Sequence, residues 1–268
     1  MKKILLAAFI AGTLFSCSND DNNGETNNTT ETENSILPVK IVYTTLKGDY
    51  NSISTISYDG NKIKEINITY SGIENYSTKS IYQYTGDLIT KITDYDKDGG
   101  ESMVREYTYQ NGKVSTLITT EWDRGNPAGD KKYVATSEFE WIDANHLKET
   151  ITQNNSNSIG SNEYFYTNGN LIRNTSSDGG EHIISYDNKE NPFKNIIGLQ
   201  LISFDDEIIF SKNNPIKYES KYNSNSSGSI LYTYEYKDNN YPSKVTEVYT
   251  SANDDNREPE TTEYFYNK

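Results

Sequence analysis

The chain has 268 residues, with 39 acidic against 25 basic side chains, a formal charge of −14, and a single cysteine. An acidic balance of this size disfavours nucleic acid and anionic headgroups, because phosphate binding depends on a basic surface. One cysteine cannot build a disulfide framework, so the fold must be held by its core and its backbone ladders.

Residues 1–16 read as a secretory leader. Lys2 and Lys3 precede an apolar stretch from Ile4 to Phe15, which is too short to cross a bilayer stably as a helix. Its loss would take the formal charge from −14 to −16. The stretch ends in Leu14-Phe15-Ser16-Cys17, which resembles the bacterial lipobox. That resemblance implies lipidation of Cys17 and anchoring in a membrane, where each buried methylene adds about 0.8 kcal/mol. Residues 17–35 carry the lipidated cysteine and then a run of Asn, Thr, Asp and Glu with almost no apolar side chain. Such a run buries too little surface to offset ordering entropy and reads as a disordered tether. The Ser-Asn-Asp-Asp after Cys17 is similar to the acidic signal that sends Bacteroidota lipoproteins to the outer face of the outer membrane. A plain polar spacer reads equally well, so surface and periplasmic exposure both stay open.

From residue 36 to 268 the composition favours strand, with abundant Tyr, Ile, Val and Thr and no apolar period of 3.6. One phrase recurs, as in EYTYQNGKVSTLI from Glu106, EYFYTNGNLI from Glu163 and TISYDGNKIKEI from Thr55. Its second aromatic falls at Tyr58, Tyr84, Tyr109, Trp141, Tyr166, Tyr186, Phe210, Tyr236 and Tyr266, about 20 to 32 residues apart. An aromatic-x-aromatic strand meets an Asn-Gly or Asp-Gly turn, and a strand returns with aliphatics three apart, as in Ile63/Ile66, Val114/Leu117 and Val245/Val248. This is β-hairpin grammar: alternate residues share a face, and the turn pair supplies positive φ. The spacing of three predicts a bulge just after the turn. Pro192, Pro215 and Pro242 are expected at strand starts or bulges, because they lack an N–H. About eight units predict an all-β antiparallel meander of roughly sixteen strands, strongly coiled or closing into a barrel-like sheet. The terminal TEYFYNK lacks a returning strand and is expected to pair with an existing edge.

The units resemble the YD/RHS-type repeats of bacterial surface proteins, with Tyr58-Asp59-Gly60 and Tyr186-Asp187 nearest that pattern. A lipobox followed by Tyr-rich hairpins and NPF or NYP variants also resembles uncharacterised Bacteroidota lipoproteins, among them a family described as having a porin-like fold. The resemblance implies an envelope location and no known activity.

Few residues suggest chemistry. Asp94, Asp96, Asp98 and Glu101 in DYDKDGGE offer alternate carboxylates before a glycine bend, as in a calcium loop, although the twelfth position is Arg105. A solvated hairpin tip is the preferred reading of them. The pairs Asp205/Asp206 and Asp254/Asp255 are candidates for glycoside hydrolysis only if held across a cleft. His146 and His182 lie in different units, and no nucleophile elbow, phosphate loop or zinc spacing occurs. Trp122, in the TTEWDRGNPAGD stretch, and Trp141 are candidate ligand platforms. Repetition makes most tyrosines scaffold, since a scaffold needs the same contact in every unit. The expected function is a non-catalytic, outer-membrane-anchored binding module, with a glycan or envelope protein as partner, no nucleic acid, and no cofactor other than calcium. The alternatives are an accessory of an outer-membrane complex and a carbohydrate-active enzyme using an acidic pair. A membrane-spanning barrel is disfavoured, because the faces opposite the tyrosines carry Glu, Lys, Thr and Ser.

Overall fold

The computed structural model describes residues 35–45, 50–72, 75–123, 131–154, 156–202, 204, 211–222, 226–251 and 258–268. Cys17, the leader, nearly all of the tether, Phe210 and the acidic pairs Asp205/Asp206 and Asp254/Asp255 lie outside these residues.

Sixteen antiparallel strands close into one barrel. Seven hairpins follow one another: β2 (Tyr50–Asp59) with β3 (Lys62–Gly72), β4 (Tyr76–Thr85) with β5 (Leu88–Tyr95), and β6 (Glu101–Gln110) with β7 (Lys113–Asp123). Then come β8 (Lys131–Trp141) with β9 (His146–Gln153), β10 (Ser156–Thr167) with β11 (Asn170–Ser176), and β12 (Gly180–Tyr186) with β13 (Pro215–Tyr222). The last is β14 (Ser226–Tyr236) with β15 (Pro242–Ser251). The eighth is split between the ends of the domain. β16 (Glu260–Tyr266) pairs with β1 (Pro38–Thr45), so the first strand supplies the return that TEYFYNK lacks. Asn267 stands in for the missing turn: its amide donates to Leu37 O at 3.0 Å, and its Oδ1 accepts from the Leu37 amide at 3.0 Å.

The expected bulge is present and recurrent. Register shifts at Tyr58, Tyr84, Tyr109, Tyr166, Tyr186 and Tyr236, each just before a tight turn or its equivalent. The extra residue turns two aliphatics three apart onto one face, so Ile63/Ile66 and Val114/Leu117 all point inward. Two bulge residues fasten the loop: Ser115 Oγ donates to Thr108 O at 3.1 Å and Ser243 Oγ to Glu235 O at 3.1 Å. Turn residues Asn111, Gly112, Asn168 and Gly169 all adopt positive φ. Pro215 and Pro242 open β13 and β15 beside bulges, as expected. Two readings need correction. Pro242, not Val248, pairs in phase with Val245, and Val248 faces outward opposite Leu231. Pro192 starts no strand and lies in a turn of the β12–β13 connection.

The second aromatic of most units has a fixed task. Its hydroxyl reaches the backbone at the first inward residue of the neighbouring return strand: Tyr58 to Pro38 O at 2.6 Å, Tyr109 to Ile89 O, Tyr186 to Leu171 O and Tyr266 to Pro242 O, each at 2.7 Å. Tyr84 completes the series by accepting from the Ile63 amide at 3.1 Å. Burial pushes the phenols of Tyr84 and Tyr109 up to about 12. These hydroxyls therefore stay protonated and able to donate.

The inward face is largely apolar or aromatic, and the outward face carries many charged pairs beside scattered aliphatics such as Ile53, Ile118 and Leu231. Ile89, Ile92, Leu147 and Leu171 are buried inside, while Lys91 stands opposite Glu106, Lys148 opposite Glu163 and Lys244 opposite Glu235 on the outside. Outward aromatics lie under cations, with Lys40 Nζ 5.2 Å from the Phe265 ring and Arg173 5.1 Å from Phe165. This is the inverse of a membrane-spanning barrel, whose lipid-facing band is apolar.

The described residues between Tyr186 and Pro215 plug the tight-turn end. Ile196, Leu199, Ile202 and Phe204 are buried against the inward rows, and Leu199–Ile202 forms a short 3-10 turn. Backbone bonds tie the plug to several hairpin tips: Ile197 N to Asn61 O at 3.0 Å, Lys212 N to Gly169 O at 3.1 Å and Glu190 N to Asn240 O at 3.3 Å.

Candidate functional site

A sixteen-stranded barrel is wide enough to enclose a channel, so what fills the lumen decides what it can do. In the middle of β6 to β11 the inward side chains close up. Tyr107 and Tyr164 are buried, and Tyr164 and Asn162 donate to the Glu149 carboxylate at 2.7 and 2.8 Å. These tyrosines are core.

On the opposite side, two hollows remain above the plug. One of about 280 Å³ is lined chiefly by isoleucines of β1 to β5, with Arg105 at its edge. Arg105 reaches Asp94 at 2.8 Å, and Asp94 also accepts from Ser80 Oγ at 2.5 Å. The other, of about 400 Å³, lies against β1 and β14 to β16. Tyr43, Tyr232, Tyr234, Tyr249, Tyr264 and Glu247 line it, with Phe193 of the plug as its floor. Ile41 and Phe193 border both hollows. A volume of this order suits a small organic molecule. Tyr264 is ringed by protein yet keeps accessible surface, as expected of a side chain that lines an internal space.

The larger hollow is polar at one end. Glu247 pairs directly with Glu260 across β15 and β16. Tyr43 donates to Glu260, and Tyr249 donates to Glu247 at 3.3 Å. Burial raises the Glu247 carboxyl above the usual range, the Tyr249 hydrogen bond opposes this, and the charge of Glu260 adds to it. Tyr43 and Tyr249 are pushed well above the ordinary phenol value, first by burial and then by these carboxylates. Among the described residues no lysine, arginine or histidine lines the hollow.

The residues singled out from sequence are scattered. Asp94 faces the lumen, Asp96 Oδ1 accepts from the amides of Asp98 and Gly100 at 3.0 and 2.8 Å, and Asp98 is exposed beside Lys97. Glu101 begins β6. Among the described residues no group of three or more His, Cys, Asp or Glu is placed to hold a metal ion. Trp122 belongs to β7 rather than to a loop; it pairs with Lys132, whose Nζ lies 5.7 Å from its ring. It borders a hollow of about 700 Å³ that is lined mainly by the inward-row residues Thr119, Glu121, Tyr133, Ala135 and Gln153 of β7 to β9. Trp141 stacks on Tyr166 at 6.0 Å beneath Lys113, and its buried Nε1 has no hydrogen-bond partner. It occupies the place where other units carry the bonded tyrosine, so its position is a variant of the scaffold.

The histidines lie on opposite faces. His146 is outside, 2.9 Å from Glu163 and stacked on Phe165. His182 faces inward against Tyr218, and burial lowers its pKa despite the opposing charge of Asp178. The larger hollow was missed from sequence. Its signal was a local excess: Tyr232, Tyr234 and Tyr236 put three inward tyrosines on one strand, and Glu247 and Glu260 put two carboxylates on the inward face of the next two strands.

No protein-family model matches the chain, and no curated protein matches it. Among solved structures, it is similar to a porin-like protein from Bacteroides uniformis ATCC 8492, with a TM-score of 0.41 at 12% identity over 85% of this chain and 96% of that one. It is also similar to a porin-like protein from Bacteroides vulgatus ATCC 8482, with a TM-score of 0.27 at 14% identity over 87% of this chain and 99% of that one.

Proposed function

We propose that the protein is a non-catalytic envelope lipoprotein, anchored to the outer membrane through Cys17, that holds a small ligand inside its barrel. The observation that carries this reading is the tyrosine-lined hollow of about 400 Å³ above the plug. Tyr107, Tyr109, Tyr164 and Tyr186 are held in core contacts or backbone bonds, whereas Tyr232, Tyr234 and Tyr264 present ring surface to this hollow. A charged outer face suits a barrel standing in water, and such a barrel needs a separate anchor, which the lipobox-like Leu14–Cys17 supplies.

The test uses N-phenyl-1-naphthylamine, a neutral dye that fluoresces in apolar sites, with the full chain. Thr262 points into the hollow, so Thr262→Trp should fill it. The parent is expected to light the dye and the variant to lose most of that signal while keeping its melting temperature within a few degrees. Equal signals from the two proteins would place the dye elsewhere and end the reading.

A further inference from the structure

The larger lumenal hollow combines features that a sealed core would avoid. Its floor and walls are apolar and aromatic: Phe193, Val245, Ile41 and the rings of Tyr232, Tyr234 and Tyr264. Near the end of β15 and the start of β16 it turns acidic, with Glu247 and Glu260 directly opposed on neighbouring strands. Like charges facing each other across a ladder are destabilising. Elsewhere in the lumen the barrel avoids that cost: Asp94 has Arg105 at 2.8 Å, and Glu149 sits under two donors. Here the carboxylates receive tyrosine hydroxyls, from Tyr43 and Tyr249, and among the described residues neither joins an ion pair.

We infer that this hollow is a binding site for an organic ammonium ion, with the apolar part of the ligand on Phe193 and Val245 and its cationic head between Glu247, Glu260 and the tyrosine rings. Aromatic faces attract such a cation through their quadrupoles, more strongly when it is desolvated, and the carboxylate pair supplies the countercharge the barrel lacks there. A hard metal ion would want six to eight oxygen ligands in place of rings. An anion would meet two carboxylates and, among the described residues, no basic one. The raised Glu247 carboxyl fits the same picture: with no cation present its charge is disfavoured, and a bound cation would restore it.

The inference rests on the lumenal binding proposed above, and the test separates the two. Three probes of similar size, phenyltrimethylammonium, its uncharged carbon isostere tert-butylbenzene, and benzenesulfonate, are titrated calorimetrically into the full chain. The cation is expected to bind at least about tenfold more tightly than the isostere, and the anion least. Glu247→Gln and Glu260→Gln, each relieving a like-charge contact and so compatible with folding, are expected to weaken the cation about tenfold together. They should leave tert-butylbenzene unchanged. If tert-butylbenzene or benzenesulfonate binds as tightly as the cation, or if the Gln variants do not move the cation, the ammonium assignment is overturned and the lumenal site stands. If none of the three binds, both fall.

Discussion

Tyr109 shows what a single residue of the repeat contributes. Its ring covers Ile89 and Val114, and its hydroxyl donates to Ile89 O at 2.7 Å inside the barrel. Removing that donor leaves the carbonyl of buried Ile89 short of a partner, which costs about 1–3 kcal/mol. Tyr109→Phe is therefore expected to lower the denaturation midpoint by that equivalent. Tyr95→Phe, on the outward face beside Lys79, should stay within about 0.5 kcal/mol of the parent. Equal costs at the two positions would mean that the inward hydroxyl bond contributes little. Much at this scale was legible in the sequence, because strand alternation assigns faces and Asn111-Gly112 can make few things other than a tight turn. The hydroxyl-to-backbone bonds were not legible. They depend on which strand lies next door, and a phenol looks the same whether it is bonded, buried or lining a cavity.

At the scale of elements, the hairpin and its bulge repeat faithfully, and the plug is the exception. The connection from Tyr186 to Pro215 carries IIGLQLI, which alternates like neither strand nor amphipathic helix. The break is not announced by the repeat, since the return strand that pairs with Tyr186 begins only at Pro215. The plug meets the barrel most closely at Gly198, where φ is +88° and an added Cβ would lie 2.9 Å from Ile89 Cγ1 and 3.1 Å from Asp87 O. Ile89 is fully buried and has nowhere to go. Gly198→Ala should therefore cost about 2 kcal/mol or more by combining backbone strain with overpacking. Gly112→Ala, with positive φ but nothing within 4 Å, should cost about 1 kcal/mol from strain alone. Chemical denaturation of the two variants checks the difference, and similar losses would mean that the plug does not seat firmly on the turns.

For the whole molecule, closure is the feature on which the lumen depends. Sixteen strands leave no free edge because β1 completes the hairpin that β16 begins. Val42 and Glu263 stand opposite each other in that seam on the outward face, at a separation suited to a disulfide. A Val42→Cys/Glu263→Cys pair is expected to oxidise readily and to raise stability by about 2–4 kcal/mol; failure to cross-link would mean that the barrel is open there. The number of strands and a tendency to close followed from counting units. The cavity did not, since every unit aims tyrosines inward and only the placement of the plug decides which rings are left uncovered.

The most direct measurement is an NMR spectrum of the full chain with isotopically labelled tyrosine, recorded with and without N-phenyl-1-naphthylamine. The account predicts that the ring signals of Tyr43, Tyr232, Tyr234, Tyr249 and Tyr264 shift while those of the buried Tyr107 and Tyr164 hold still. Shifts confined to outward tyrosines such as Tyr95, or spread evenly over all of them, would contradict a ligand site inside the barrel.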